Sequence, residues 1–364
     1  MSSRRNVLVA DGDSTWALSV ITCLSQIEDY KLFVLSNTKR TATKYSKYTS
    51  YYKFSERGDD ANWLKVINSE IEANDISIVI PIAEKEIAFF INHLDSIHSA
   101  AKVIPLPEFK DFVIATDKKL LSDFAITNDI SHPKSFHVTS EKNKDEFFSA
   151  ANFPVLIKPI NLKGGDGIKK IDTLSNFPKQ IEGPLFIQEY IEGYDVDCSV
   201  LCLKGKVLTH TIQKGNLKGH NDFAPQLGFN FLKNETLLKV VEDIMSKFNW
   251  SGVAHLDLRY DENTKDYKLI EINARFWGSV DASECAGINF PHLSIQLALN
   301  GFISEYDFET IHYMRLKGVL KSIKRQPTFI FKKTFLMNNT EAKSFLKDPL
   351  PTMYKFREWF GRRF

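Results

Sequence analysis

Residues 267–279, YKLIEINARFWGS, place Glu271, Asn273 and Arg275 at every second position of a stretch that otherwise reads as a buried strand. Side chains alternate across a strand, so these three share one face. The preceding segment, GVAHLDLRY, places His255, Asp257 and Arg259 in the same alternation, with Asp257 fourteen residues before Glu271. A hairpin turn centred near Asn263–Thr264 puts Asp257 directly opposite Glu271. Facing carboxylates repel, and Leu256, Leu258, Ile270 and Ile272 on the other face predict packing against a core. A pair of acids in that setting needs a compensating cation. Mg²⁺ takes carboxylate oxygens, waters and phosphate oxygens in octahedral geometry, and Asp257, Glu271 and the Asn273 amide oxygen supply such ligands. Arg275, next on the face, suits a phosphate oxygen through paired hydrogen bonds.

Other residues have the chemistry to hold phosphate. Lys158 ends the apolar strand FPVLIK, immediately before the glycine-rich NLKGGDG. Lys163 and glycines 164, 165 and 167 form a loop whose backbone N–H groups can point at an anion. No G-K-[S/T] follows, so it is not a Walker A loop. Lys118, in TDKKLL at a helix start, is a second candidate cation. The segment QEYIEGYDVD reads as a connector between two lobes. There Glu189 could accept from an adenine amino group or set the hinge, the backbone at Tyr190 and Ile191 could read the adenine edge, and Asp195 suits ribose hydroxyls. A plain acidic linker is the other reading of that segment. In the polar stretch 213–229, Lys214, Lys218 and His220 are candidate contacts for a substrate carboxylate or phosphate, against the alternative of a surface loop; Arg259 is a further candidate.

These residues need elements to hold them. The chain has 364 residues, 43% hydrophobic and 25% charged, which fits a globular protein of two or three domains. Residues 6–112 alternate strand-like and helix-like runs (NVLVA, TWALSVITCLSQI, KLFVLS, WLKVINSEIEAN, ISIVIPI), the signature of a parallel, Rossmann-like sheet. The turn after the first strand lacks a full G-x-G-x-x-G, so it carries little dinucleotide-binding signal. TDKKLLSDFAITNDI reads as a helix with SHPKSF as a breaker, FPVLIKPI and IKKI as strands, and PLFIQEYIEG as an edge strand. A hairpin turns at KGK, ETLLKVVEDIMSKF is an amphipathic helix, and FPHLSIQLALNG a helix stopped by Gly301.

No run reaches the roughly 18 apolar residues of a membrane span, and the apolar stretch after Arg4 and Arg5 is too short for a signal-peptide core. A cytoplasmic location follows as the expectation. The four cysteines lack zinc-site spacing and read as buried thiols. The net charge of +2 hides an asymmetry: residues 317–364 carry twelve Lys/Arg against three Asp/Glu, so the remainder of the chain is net negative by seven. That end interleaves charge with aromatics (TFIFKKTF, MYKFREWFGRRF). It reads either as a helical extension packed on the body or as a peripheral contact with the inner membrane surface, with nucleic acid not expected as a partner.

The motifs TDKKLLSDFA, FPVLIKPINLKGGDG, FIQEYIEGYDVD and GVAHLDLRY…YKLIEINARFWGS together resemble the ATP-grasp superfamily, in the carbamoyl-phosphate-synthase-like group of carboxylate–amine ligases. The resemblance implies an α/β (α+β) fold: a Rossmann-like pre-ATP-grasp domain at 1–112, then a two-lobed ATP-grasp domain at 113–310 (small lobe about 113–185, large lobe about 186–310) with ATP between the lobes. A basic aromatic C-terminal extension follows at 311–364. It implies ATP and Mg²⁺ (or Mn²⁺) as cofactors, with Lys118 and Lys158 on the α- and β-phosphates and the loop 163–167 over them. Glu189, Tyr190 and Ile191 would hold adenine and Asp195 the ribose. Asp257, Glu271 and Asn273 would ligate the metal, and Arg275 would stabilise the transferred phosphoryl group. Asp257 stands where many relatives have Glu. The implied reaction activates a carboxylate as an acyl phosphate and joins it to an amine, in cell-envelope, surface-polysaccharide or peptide metabolism. A small-molecule kinase or a carboxylase on the same fold is the alternative, and a homodimer remains open.

Overall fold

The computed structural model describes residues 4–138, 152–159, 165, 167–178, 185–219 and 223–361. The first part alternates as its apolar runs require: β1 (Arg5–Val9), α1 (Ala17–Leu24), β2 (Tyr30–Ser36), β3 (Thr49–Phe54), α2 (Asp60–Ala73), β4 (Ile76–Ile80), α3 (Glu84–His93) and β5 (Lys102–Val103). The five strands form one parallel sheet in the order β3-β2-β1-β4-β5. Val7, Val9, Ile78 and Ile80 on one face are fully buried, as are Leu8 and Val79 on the other, so both faces are covered.

Next come α4 (Phe109–Thr116), α5 (Lys118–Thr127), β6 (Ser135–Val138), β7 (Val155–Pro159), β8 (Lys169–Ile171) and β9 (Leu185–Glu189). Asp117 caps α5 by accepting from the amides of Lys119 and Leu120. The four strands form a small antiparallel sheet in the order β6-β9-β7-β8. This corrects two expectations. β6 begins within the SHPKSF segment, two residues after Pro133, and β9 is an inner strand rather than an edge, because β6 covers its other side.

The chain continues with β10 (Gly193–Leu203), β11 (Lys206–Leu217), β12 (Gly228–Phe231), α6 (Glu235–Lys247), β13 (Gly252–Asp261), β14 (Tyr267–Asn273), α7 (Val280–Cys285), α8 (Phe290–Asn300) and β15 (His312–Met314). A six-stranded sheet runs β14-β13-β10-β11-β12-β15. Its apolar face shares one core with α1, α7, α8 and the parallel sheet. Gly301 stops α8 in a left-handed conformation. Cys23, Cys198 and Cys202 are buried free thiols, and Cys285 is half-buried. Beyond β15 lie α9 (Leu316–Arg325), α10 (Lys333–Asn338), α11 (Ala342–Lys347) and α12 (Pro349–Gly361).

β9 and β10 are joined by a short connector at Tyr190–Glu192, and Gly193 makes the joint possible. Its φ is +142°, and a Cβ there would overlap the Tyr260 carbonyl oxygen of β13. Gly193→Ala is expected to lower stability by on the order of 1–3 kcal/mol, read as a fall in urea midpoint; an unchanged midpoint would show that the joint relaxes freely.

Candidate active site

The hairpin β13–β14 pairs as its turn predicts, with Asp257 opposite Glu271 and His255 opposite Asn273. Leu256, Leu258 and Ile272 face the core, at most 2% exposed. Below Glu271 the register shifts by one residue, so Leu258 pairs with Leu269. Leu269 therefore takes the core side, and Ile270, expected there, is only half-buried.

On its other side β13 pairs with β10, which brings Asp197 opposite Asp257 and Ser199 opposite His255. Asp197 in turn faces Gln213 on β11. One row across four strands thus reads Glu271, Asp257, Asp197, Gln213, and the next reads Asn273, His255, Ser199, Thr211. Asp197 and His255 were given no role from sequence. The alternation in DVDCS puts Asp195, Asp197 and Ser199 on one face, but the partner strand lies some sixty residues away and its register cannot be read from sequence.

Burial pushes the Asp197 carboxyl up to about 7, with Asp195 adding to the effect, while Gln213 Nε2 donates to it at 3.1 Å. Asp257 is raised well above the carboxylate range by desolvation, then by Asp197 and Glu271 on its two sides. Its side chain keeps 40% of its surface accessible, so the like charges flanking it are the firmer cause. His255 is held down at about 3 by burial, then by the guanidinium groups of Arg275 and Arg315, and is neutral at pH 7. Its Nδ1 bonds Ser199 Oγ at 2.8 Å, its Nε2 lies 3.3 Å from Asp257, and its ring stacks on Trp277.

Donor atoms of Asp197, His255 and Asp257 all lie within 4.8 Å of one another. With Glu271 beside them, this is a crowd of carboxylates and one neutral imidazole. The oxygen-rich set suits a hard divalent cation such as Mg²⁺ or Mn²⁺. Asn273 stands differently from the expectation. Its Oδ1 accepts from Arg275 Nη2 at 2.7 Å, and its Nδ2 points at Asp257 at 3.4 Å.

The small sheet supplies the opposing cations. Lys158, at the end of β7, donates to Gln188 Oε1 at 2.6 Å. Burial lowers its pKa to about 8; Glu271 and Asp257 pull it up and Lys118 pushes it further down. Lys118, Lys158 and the acid row are therefore electrostatic neighbours across the two lobes. The sign of the Lys158 shift gives a prediction. The protein loses this charge as pH rises through about 8, so if Lys158 holds phosphate as the resemblance implies, nucleotide affinity is expected to fall about tenfold between pH 7 and pH 9. Lys158→Arg should hold its affinity over that range; a flat wild-type profile in a binding titration would contradict the assignment.

The connector is pinned rather than loose. Glu189 pairs with the Lys134 backbone in both directions, and the Tyr190 amide donates to Pro154. Arg259 donates to the Ile191 carbonyl at 2.6 Å, to Asp195 at 2.6 Å and to the Gly193 carbonyl at 2.9 Å. All three of its nitrogens are engaged on 191–195, so the structure places Arg259 as a clamp on the hinge. The Tyr190 ring lies under the Lys170 ammonium, and Lys214 sits over Tyr194. Gly165, with φ of +80°, packs so closely on Phe223 that a Cβ would overlap its carbonyl. The glycine loop therefore touches the 213–229 segment. Gly167 also has positive φ. The Lys218 carbonyl accepts from Lys321. Lys163, Gly164 and His220 lie outside the described residues.

The first domain also reaches the site. Glu84, in the first turn of α3, pairs with Arg275 Nε at 3.2 Å. Trp16 and Arg315 meet over Gly278, where a Cβ would press on both, and Arg315 stacks on Phe229. Ser14 Oγ, Trp277 Nε1, Asp281 Oδ1 and Arg315 Nε are buried without a partner among the described residues. Unpaired polar atoms of this kind are costly; Trp277 and Arg315 carry theirs within or against FWGS, and Asp111, Thr209 and Gln213 carry others elsewhere. Nothing in sequence linked Glu84, Trp16 or Arg315 to this place.

A parallel sheet followed by a small antiparallel lobe, a pinned hinge and a large sheet bearing acids opposite lysines gives the chain the ATP-grasp fold. A family model described as "ATP-grasp in the biosynthetic pathway with Ter operon" matches residues 182–321. The carbamoyl phosphate synthase large chain of Caldanaerobacter subterraneus subsp. tengcongensis is 21% identical over 216 residues, 55% of this chain and 20% of that protein. The chain thus spans about a fifth of the length of the curated relatives it matches. Among solved structures, N5-carboxyaminoimidazole synthetase from Staphylococcus aureus complexed with ADP superposes with a TM-score of 0.67 at 12% identity, covering 90% of this chain and 87% of that one. L-amino acid ligase from Bacillus licheniformis gives 0.60 at 16% identity, covering 82% and 75%.

Proposed function

We propose that the protein is an ATP- and Mg²⁺-dependent, ADP-forming ligase that activates a carboxylate as an acyl phosphate and joins it to an amine. One observation carries the reading: Glu271, Asp257, Asp197, Asn273 and Arg275 share one sheet face, with Lys158 and Lys118 electrostatically coupled to it from the other lobe. A divalent ion held by Asp257, Glu271 and Asp197, with His255 and Asn273 in reach, would neutralise phosphate charge. Lys158 and Lys118 bind the phosphates. Glu189, Tyr190, Ile191 and Asp195 hold the nucleoside, with Arg259 fixing their backbone. Little covalent work falls to side chains in such a reaction; positioning and charge neutralisation do most of it. Trp16 and Arg315 around Gly278, with Glu84 against Arg275, form the wall on the acceptor side. A peripheral location at the inner membrane surface, through 317–364, accords with a role in cell-envelope, surface-polysaccharide or peptide metabolism.

The test is ADP formation from ATP with a panel of carboxylates, each with and without amines. ADP that forms only when both substrates are present supports the ligase. A stable phosphorylated product in the absence of amine would make the protein a kinase instead.

A further inference from the structure

Nine of the seventeen large apolar side chains that are exposed among the described residues fall within 316–361. The most ordered group is on α12. This helix is anchored: Tyr354 stacks on Tyr45 with ring centres 4.8 Å apart and donates to the Arg40 carbonyl, and Pro351 is buried. Just before it, Asp348 accepts from Ser46 Oγ at 2.5 Å and from the Lys47 amide. At about 100° per residue, Pro351, Tyr354 and Glu358 cover one half of the helix. Leu350, Met353, Phe356 and Trp359 occupy the other half, each 45–57% exposed, with Arg357 among them. An amphipathic helix normally turns its apolar half inward. Here the fold holds that half outward.

The charge around it has one sign. Of the three acids in 317–364, Asp348 is tied to the body as above, Glu341 accepts from the Leu316 amide, and Glu358 pairs with Arg357. Of the twelve Lys/Arg, Arg357 pairs with Glu358, and Lys343, Lys347 and Lys355 have Glu284, Glu341 or Asp281 as acidic neighbours; Lys317, Lys324, Arg325, Lys332 and Lys333 are exposed, and Arg362 and Arg363 follow α12 in sequence. A second copy of this chain would bring the same positive field against itself, which argues against self-association through this face. The rest of the molecule is net negative, so an anionic surface would attract only this end. Among the described residues no helix is long and apolar enough to cross a membrane; a helix of this kind lies in the interface with its apolar side in the headgroup–acyl boundary.

We infer that α12 and the basic surface around it form a docking face for an anionic lipid bilayer, with Leu350, Met353, Phe356 and Trp359 entering the interface and Lys/Arg meeting the headgroups. It deepens the peripheral location named above and does not depend on the ligase chemistry.

The experiment is co-sedimentation of the full chain with phosphatidylcholine vesicles, pure or with phosphatidylglycerol as about a third of the lipid. Binding is expected to be at least about tenfold tighter to the anionic vesicles and to weaken with salt. Trp63, Trp250 and Trp277 are at most 2% exposed and Trp16 is half-buried against Gly278, so quenching by brominated lipid reads mainly Trp359 and should fall sharply in Trp359→Phe. Phe356→Ser should weaken binding severalfold with an unchanged melting temperature, since it leaves the contacts to Tyr45 and Ser46 alone; Arg357→Glu, which also takes a guanidinium from over the Tyr354 ring, should weaken binding severalfold as well. Equal binding to neutral vesicles, anionic binding without quenching of Trp359, or self-association that shields Trp359 in the absence of lipid would each overturn the proposal. Glu271→Gln should bind vesicles like wild type, so failure here and failure of the ligase reading are separate results.

Discussion

Glu271→Gln is expected to lower turnover by at least about 10²–10³-fold while the protein stays folded, with a melting temperature equal to or above that of wild type. The two halves of this result come from one geometry. Glu271 faces Asp257, and Asp257 faces Asp197, so three carboxylates run side by side across β14, β13 and β10. Asp257 is raised well above the carboxylate range partly because of both neighbours. Removing one charge relieves repulsion in the metal-free protein, and a site maintained against stability in this way is what functional strain looks like. The same substitution would take a charged ligand from the proposed cation, and it takes a counter-charge from Lys158, whose pKa Glu271 pulls upward. Near-normal turnover would refute the metal assignment. A melting temperature several degrees lower would show that Glu271 is instead held by a cation of the protein itself.

Arg275→Met should leave nucleotide affinity within about threefold of wild type and cut turnover by about 10²–10³-fold. The lysines assigned to the phosphates belong to α5 and β7, whereas Arg275 stands at the large-lobe end of the face, held between Asn273 at 2.7 Å and Glu84 at 3.2 Å. A guanidinium in that position meets charge that develops on transfer rather than charge already present on bound nucleotide. Arg275→Lys should recover only part of the loss, since an ammonium lacks the planar fork that bonds Asn273 and a phosphoryl oxygen together. Steady-state kinetics alongside a calorimetric titration separates the two effects. Affinity falling in step with turnover would move Arg275 to ground-state binding.

The contrast between what was legible and what was not follows the range of the interactions. The Asp257–Glu271 pair could be read because the turn between β13 and β14 is short and fixes the register locally. The parallel domain could be read because both faces of its strands are buried and therefore uniformly apolar. Asp197 could not, because its partner strand is distant in sequence. The one-residue slip at Ile270 escaped because alternation assumes an unbroken ladder. β6, β12 and β15 are three or four residues long and flanked by proline, glycine or basic residues, too short for a period to show. The clamp that Arg259 makes on the hinge could not be read, because its face was legible and its reach was not. The +9 of the C-terminal segment was plain from composition, but only the packing of Tyr354 on Tyr45 shows which half of α12 is turned outward.

The central claim is that the row Glu271, Asp257 and Asp197 opposite Lys158 is a metal–nucleotide site. Calorimetric titration of the wild-type protein with ADP, in Mg²⁺ and again in chelator, tests it most directly. Binding is expected to tighten at least about tenfold with the metal. Equal affinity under both conditions, or no binding of ADP at all, would contradict it.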